Sequence, residues 1–210
     1  GDWSKEAFPW LSVRECFIGF APATVMAVSF SGELAYEIHV PNASLYAAYT
    51  ALRAAGKEHG LKLFGARAVE SMRMEKGFMH WKADLITEFD PFETALDRFV
   101  KLDKGDFVGR DALVKRHENG PSKKLVSLEI DTSKTPAHGG GSLMKDGKVV
   151  GTITSGDWGH RIGKNLAYAF VDVNVSEVGS TMELDLCGDM IGAVVIPPCP
   201  YDPDFLRMRA

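Results

Sequence analysis

Cysteine is scarce in this chain. Three in 210 residues, Cys16, Cys187 and Cys199, are too few and too scattered for a disulfide framework or a zinc cluster. They are expected to be reduced thiols, and the expected location is cytoplasmic. No apolar run approaches the roughly 20 residues a helix needs to span a bilayer, so no membrane partner is expected. Excess positive charge is also absent: 24 Lys and Arg against 28 Asp and Glu leave a net charge of −4. That excludes the basic field by which nucleic acids and anionic membranes are bound. Gly139-Gly140-Gly141 and Gly163-Lys164 lack phosphate-loop spacing, and neither a dinucleotide fingerprint nor a nucleophile elbow is present. Asp157 and His160 suggest half of a metal site but have no third ligand nearby. His39, His59, His80, His117 and His138 show no ligand spacing.

What is present is ordinary globular composition, 45% hydrophobic and 25% charged, in a length that holds one large domain or two small ones. The opening Gly1-Asp2-Trp3-Ser4 is neither a signal nor a transit peptide and reads as an entry in mid-domain. It predicts a fragment of a longer protein. Strands are expected over 13–20, 24–30 and 36–40, the last two joined by a glycine-containing turn. Helical spacing of Leu45, Ala48, Tyr49, Leu52 and Ala55 predicts a helix over 43–59 with Asn42 as its cap. A second helix is expected over 66–76, a strand over 98–102 and a short helix over 109–117. Residues 118–122 have linker composition and set the expected boundary between a domain at 1–120 and another at 121–210. Beyond it the character is all-β, with Asp146-Gly147 between alternating arms as a hairpin signal. The expected class is α+β: an α/β layer followed by a small antiparallel β-barrel, with a proline-rich tail across the surface.

Several residues carry candidate chemistry. In the strand over 36–40, Glu37 and His39 alternate with Tyr36, Ile38 and Val40. Period two puts the apolar three on one sheet face and the polar two on the other. Glu37 is either part of a solvated outer face or an acceptor for a ligand's N–H groups. Arg67 opens the second helix, able to fork onto a ligand carboxylate or to pair with Glu70 three positions on. Arg73 and Glu75 read as structural. Trp81 and Asp84 lie in an irregular stretch where functional residues concentrate, although a loop tryptophan is more often a core plug. Arg98 either lines a cleft or snorkels at a sheet edge.

Four segments in order resemble one family: Ser31-Gly32-Glu33-Leu34-Ala35-Tyr36-Glu37-Ile38-His39-Val40-Pro41; Gly65-Ala66-Arg67-Ala68 continuing to Met72-Arg73-Met74-Glu75-Lys76-Gly77; Trp81-Lys82-Ala83-Asp84; and residues 98–113 from Arg98-Phe99-Val100-Lys101 to Arg110-Asp111-Ala112-Leu113. The set resembles the aminomethyltransferase (glycine-cleavage T-protein) family, most of all the folate-binding C-terminal half of dimethylglycine and sarcosine dehydrogenases. Asn165-Leu166-Ala167-Tyr168-Ala169-Phe170-Val171 and Tyr201-Asp202-Pro203 are similar to that family's C-terminal barrel.

The resemblance implies tetrahydrofolate as cofactor and transfer of a one-carbon unit to it from a methylated amine or an aminomethyl donor. It implies that Glu37 holds the pterin ring, with Ile38 and His39 beside it, and that Arg67 lies near the folate's glutamate tail. Phe30 stands where relatives often have a tyrosine, and Arg98 where they have an aromatic ring against the folate. The family's catalytic aspartate lies N-terminal to everything matched, so no catalytic residue is assigned and the chain alone is expected to be inactive. FAD is implied only if an oxidoreductase domain precedes residue 1; an upstream flavin domain or a carrier protein are the implied protein partners. A folate-dependent demethylase of another donor, or a non-catalytic relative acting in iron–sulfur assembly, are the alternatives.

Overall fold

Alternation of apolar and polar side chains builds two antiparallel sheets among the described residues. In the computed structural model, which describes residues 1–209, contacts divide into two compact units: Gly1–Arg73 with the stretch from Asp202, and Met74–Tyr201.

In the first unit β1 (Val13–Ile18), β2 (Ala21–Met26) and β3 (Glu37–His39) form a meander in that order. The pairs Arg14–Val25, Cys16–Ala23 and Val25–Ile38 share one face. Phe8, Ala23, Val25 and Ala27 are buried there, with Cys16, Ile18 and Val40 packed around them. Helix α1 (Leu45–Gly56) begins later than residue 43, after a single 3-10 turn at Asn42–Ser44, and among the described residues no side-chain hydrogen bond caps it. It ends at Gly56 because Leu61 folds back, its N–H donating to the Gly56 carbonyl at 2.9 Å. Helix α2 (Ala66–Glu75) follows, its residues as far as Arg73 belonging to this unit and Met74 and Glu75 to the second. The tail does not merely cross the surface, since Met208 is buried.

In the second unit, the strand expected over 98–102 is a 3-10 turn at Asp97–Phe99. Its N–H groups are consumed locally, Phe99 donating to Leu96 and Val100 to Asp97, both at 2.9 Å, so no ladder forms. After α3 (Arg110–Asn119), six strands close a barrel: β4 (Lys123–Ile130), β5 (Ser142–Lys145), β6 (Lys148–Gly159), β7 (Lys164–Asp172), β8 (Thr181–Leu186) and β9 (Asp189–Ile196). Their order is β4-β7-β6-β5-β8-β9, with β9 returning to β4. The β5–β6 turn has Asp146 at φ 50° and Gly147 at φ 74°, the double left-handed geometry that an Asp-Gly pair adopts at least cost.

Strand β7 is apolar on both faces because both are covered. Ala167, Ala169 and Val171 point into the barrel with Leu128, Leu143, Ile153 and Leu184. On the opposite face, Leu166 and Tyr168 pack with Met74, and Phe170 stacks on Phe89 with ring centroids 3.5 Å apart. Closing the barrel also removes free sheet edges. Leu128 is fully buried, so Leu128→Ala is expected to cost about 2–5 kcal/mol, transfer plus cavity. The exposed Val149→Ala should stay within about 0.5 kcal/mol. Urea unfolding of both variants checks this.

Candidate functional site

The register of the first sheet decides which side chains share a surface. Val13 opposes Met26, Glu15 opposes Thr24, and Phe17 opposes Pro22. On the other side of β2, Thr24 opposes His39 and Met26 opposes Glu37. Opposed residues in antiparallel strands point the same way. Glu37, His39, Glu15, Thr24, Val13, Phe17 and Met26 therefore occupy the face opposite the Phe8 cluster. A groove of about 440 Å³ lies on it, bounded by Glu15, Phe17, Pro22, Thr24, His39 and Pro41 among others.

The Glu37 side chain is 52% exposed, and its recorded partner among the described residues is His39, with Nε2 3.4 Å from Oε2. Strand β3 is only three residues long and exposed throughout, so Ile38 is not buried as the alternation suggested; Tyr36 stacks on Phe8 instead, with centroids 5.8 Å apart. Phe30 is half-buried in the stretch between β2 and β3. Glu15, Thr24 and Met26 were not singled out from the sequence. Only the pairing register places them beside Glu37, and register between strands is not visible in spacing along one strand.

Helix α2 presents Arg67 on its first turn, exposed. The Glu70 carboxylate, the partner that spacing offered, accepts instead from Arg73, Nε at 2.9 Å and Nη2 at 2.8 Å. Among the described residues Arg67 has no hydrogen bond or ion pair. A cation there is also disfavoured by the positive end of the helix dipole. Arg67 thus contributes nothing evident to the helix that carries it. Arg73 and Glu75 are buried, as their structural reading requires.

Arg98 belongs to the second unit. Its guanidinium lies over the Phe99 ring, 4.8 Å from the centroid, and it borders a groove of about 260 Å³ with Lys124, Leu125, Tyr168, Val178 and Ile196 among the others. Trp81 is not a core plug: it is 71% exposed beside a cavity of about 530 Å³. Asp84 is the buried group of that stretch. Its carboxylate accepts from the His80 N–H at 2.7 Å, the Thr154 hydroxyl at 2.5 Å and the Ser155 hydroxyl at 2.6 Å. Consecutive residues of a strand normally face opposite ways; an irregularity in β6 pairing between Ile153 and Ser155 lets both hydroxyls reach one carboxylate. Among the described residues, no group of three or more His, Cys, Asp or Glu could hold a metal ion.

The chain matches the family model for the GCVT N-terminal domain over residues 1–104 and that for the glycine cleavage T-protein C-terminal barrel domain over 123–202. It is 36% identical over 196 residues to a mitochondrial dimethylglycine dehydrogenase of Homo sapiens, covering 93% of this chain and 23% of that protein. It is 34% identical over 216 residues to a mitochondrial sarcosine dehydrogenase of Mus musculus, covering 99% and 23%. An aminomethyltransferase of Caldanaerobacter subterraneus subsp. tengcongensis is 32% identical over 183 residues, covering 87% and 49%. The crystal structure of glycine cleavage system aminomethyltransferase T from Bartonella henselae superimposes with a TM-score of 0.77 at 25% identity, over 89% of this chain and 50% of that one. The chain therefore spans about half the length of these aminomethyltransferases and about a quarter of these dehydrogenases.

Asp84→Ala removes the acceptor of the Ser155 hydroxyl and the His80 N–H, and the shorter of two acceptors of the Thr154 hydroxyl, which also donates to the Tyr168 carbonyl at 3.3 Å. It is expected to lower stability by about 3 kcal/mol, with Thr154→Ala and Ser155→Ala near 1 kcal/mol each. The losses should be non-additive in a double-mutant cycle, measured by chemical denaturation.

Proposed function

Because the chain belongs to the glycine cleavage T-protein family, we propose that it carries part of a tetrahydrofolate site serving one-carbon transfer, with Glu37 and Arg67 as its two charged holds. The observation that carries this reading is the unmatched state of Arg67. An arginine without a partner, on a helix end that repels it, is a docking point for an anion, and a guanidinium fork suits a carboxylate. A folate's glutamate tail offers such groups. Glu37 supports the other end: an exposed carboxylate on a strand can accept two parallel N–H bonds from a pterin edge.

The chemistry of the donor set fits a folate, with an acceptor of N–H groups and a separate cation for an anionic tail. When bound, the folate supplies the nitrogen that takes the one-carbon unit. This chain's residues hold and orient it, and orientation alone can supply a large part of such a rate. His39 steadies the Glu37 carboxylate from the same face. Phe30 provides apolar surface near that strand, while Ile38 faces the other side of the sheet. The donor is a methylated amine or an aminomethyl group, in keeping with the names of the dehydrogenase and aminomethyltransferase relatives.

Calorimetry with tetrahydrofolate on the protein that carries this chain tests the reading. Glu37→Gln and Arg67→Ala are each expected to weaken binding by tenfold or more, the equivalent of losing one charge-assisted bond of about 1.5–3 kcal/mol. Arg67→Ala should leave the unfolding free energy within about 0.5 kcal/mol. Undiminished affinity in both variants would remove these residues from the site.

A further inference from the structure

The run Gly139-Gly140-Gly141 fits no phosphate loop, and the structure shows what it does instead. A Cβ on Gly139 would lie 2.8 Å from the Thr154 carbonyl oxygen, and one on Gly141 2.8 Å from Leu184 Cδ1. The loop lies that close to the barrel because its backbone bonds to β6: Gly140 donates to Ile153 at 2.8 Å, and Ile153 donates to Gly141 at 2.9 Å. On the other side of His138 the buried Asn165 fastens the loop. It accepts from the Ala137 N–H at 3.0 Å and donates to the Thr132 and Thr135 carbonyls at 3.1 and 2.9 Å. His138 is thus an exposed side chain on a loop pinned at both shoulders.

Its ring is oriented as well. Nδ1 lies 3.1 Å from the Gly139 carbonyl oxygen, and a carbonyl only accepts, so Nδ1 carries the proton of the neutral ring and Nε2 presents its lone pair. Nε2 is 3.7 Å from Sγ of Cys187, 49 positions away in sequence. Cys187 opens the β8–β9 turn at φ 58°, followed by Gly188 at φ 93°, whose N–H is held by Asp185 at 2.9 Å. Nucleophile, base and a group orienting the base are in place. The other two thiols differ: Cys16 and Cys199 are half-buried, and Cys199 donates to the Tyr201 carbonyl at 3.2 Å.

We propose that Cys187, with His138 as its base, is a thiol modification site for small disulfides. Asp185 and Asp189 flank the thiol in the turn, so a cationic disulfide such as cystamine suits it better than an anionic one such as glutathione disulfide. In the exchange Cys187 gives its proton to His138 Nε2 as Sγ attacks one disulfide sulfur. The Sγ–S bond forms, the original S–S bond breaks, and the departing thiolate takes the proton from the imidazolium. Cys187 is oxidised to the mixed disulfide and the reagent is reduced to one thiol. An ordinary thiol is only a few per cent ionised at neutral pH. Base assistance by His138 is expected to be worth about fivefold.

The test is the rate of mixed-disulfide formation with cystamine at pH 7, read by peptide mass spectrometry on the whole chain. The Cys187 peptide is expected to react about fivefold or more faster than the Cys16 and Cys199 peptides, and faster with cystamine than with glutathione disulfide. His138→Gln should slow Cys187 about fivefold in the folded protein, while in urea wild type and variant react alike. A folded His138→Gln chain whose Cys187 reacts at the wild-type rate overturns the proposal, as does modification spread evenly over the three cysteines.

Discussion

The Glu75 carboxylate is wholly withdrawn from water, a state that is tolerable only if every lone pair is answered. Arg161 answers with its Nε and with its backbone N–H at 2.6 Å, and Ile162 adds its N–H at 3.2 Å. The same turn of α2 is gripped twice more: Tyr168 donates its hydroxyl to the Met74 carbonyl at 2.8 Å, and the Tyr201 N–H donates to the Glu75 carbonyl at 3.0 Å. Arg161 in turn lies over the Tyr201 ring, 3.9 Å from its centroid. Removing Arg161 would strand a buried carboxylate, so the last turn of α2, the β6–β7 turn and the chain at Tyr201 are held together by this pair. That constraint also explains why the outer face of β7 is apolar. A strand that must carry a helix end on its outside cannot leave that side polar.

The charges on α2 differ in their partners. Glu75 has Arg161, Arg73 has Glu70, and the Lys76 ammonium reaches the Tyr201 carbonyl at 3.4 Å. The cations Arg73 and Lys76 lie in the last turn or just beyond it, where the helix dipole favours them, whereas the Glu75 carboxylate there depends on its bonds from Arg161 and Ile162. Arg67 sits at the opposite end, with no carboxylate partner among the described residues and no favourable dipole. A helix optimised only for stability would place an acid there.

Much of this architecture was legible in the sequence because it rests on local patterns. The alternation Met182-Leu184-Leu186 marks β8, and Asp146-Gly147 marks the hairpin because few other pairs adopt two left-handed residues in succession. Helix α2 was read to within a residue at its end, since Gly77 stops it. The expected strand over 98–102 failed for a reason that composition does not reveal: its apolar residues have no strand to pair with, so the backbone satisfies itself in a 3-10 turn. At the candidate site, Glu37 and Arg67 could be named from a family resemblance, but Arg67's lack of a partner could not. Its absence depends on Glu70 choosing between two arginines at the same spacing, and side-chain packing makes that choice.

Asp84 shows the opposite limit. Its partners Thr154 and Ser155 lie 70 and 71 positions away, and both can reach it only because β6 loses its regular alternation there. No periodicity in the sequence announces a bulge that serves a distant carboxylate. The arrangement leaves Trp81 exposed three residues before a fully buried charge, which inverts the usual ranking of an indole and a carboxylate. The inversion follows once the hydrogen bonds are counted. The Asp84 carboxylate accepts from the His80 N–H and the Thr154 and Ser155 hydroxyls, and the indole stands exposed beside the cavity.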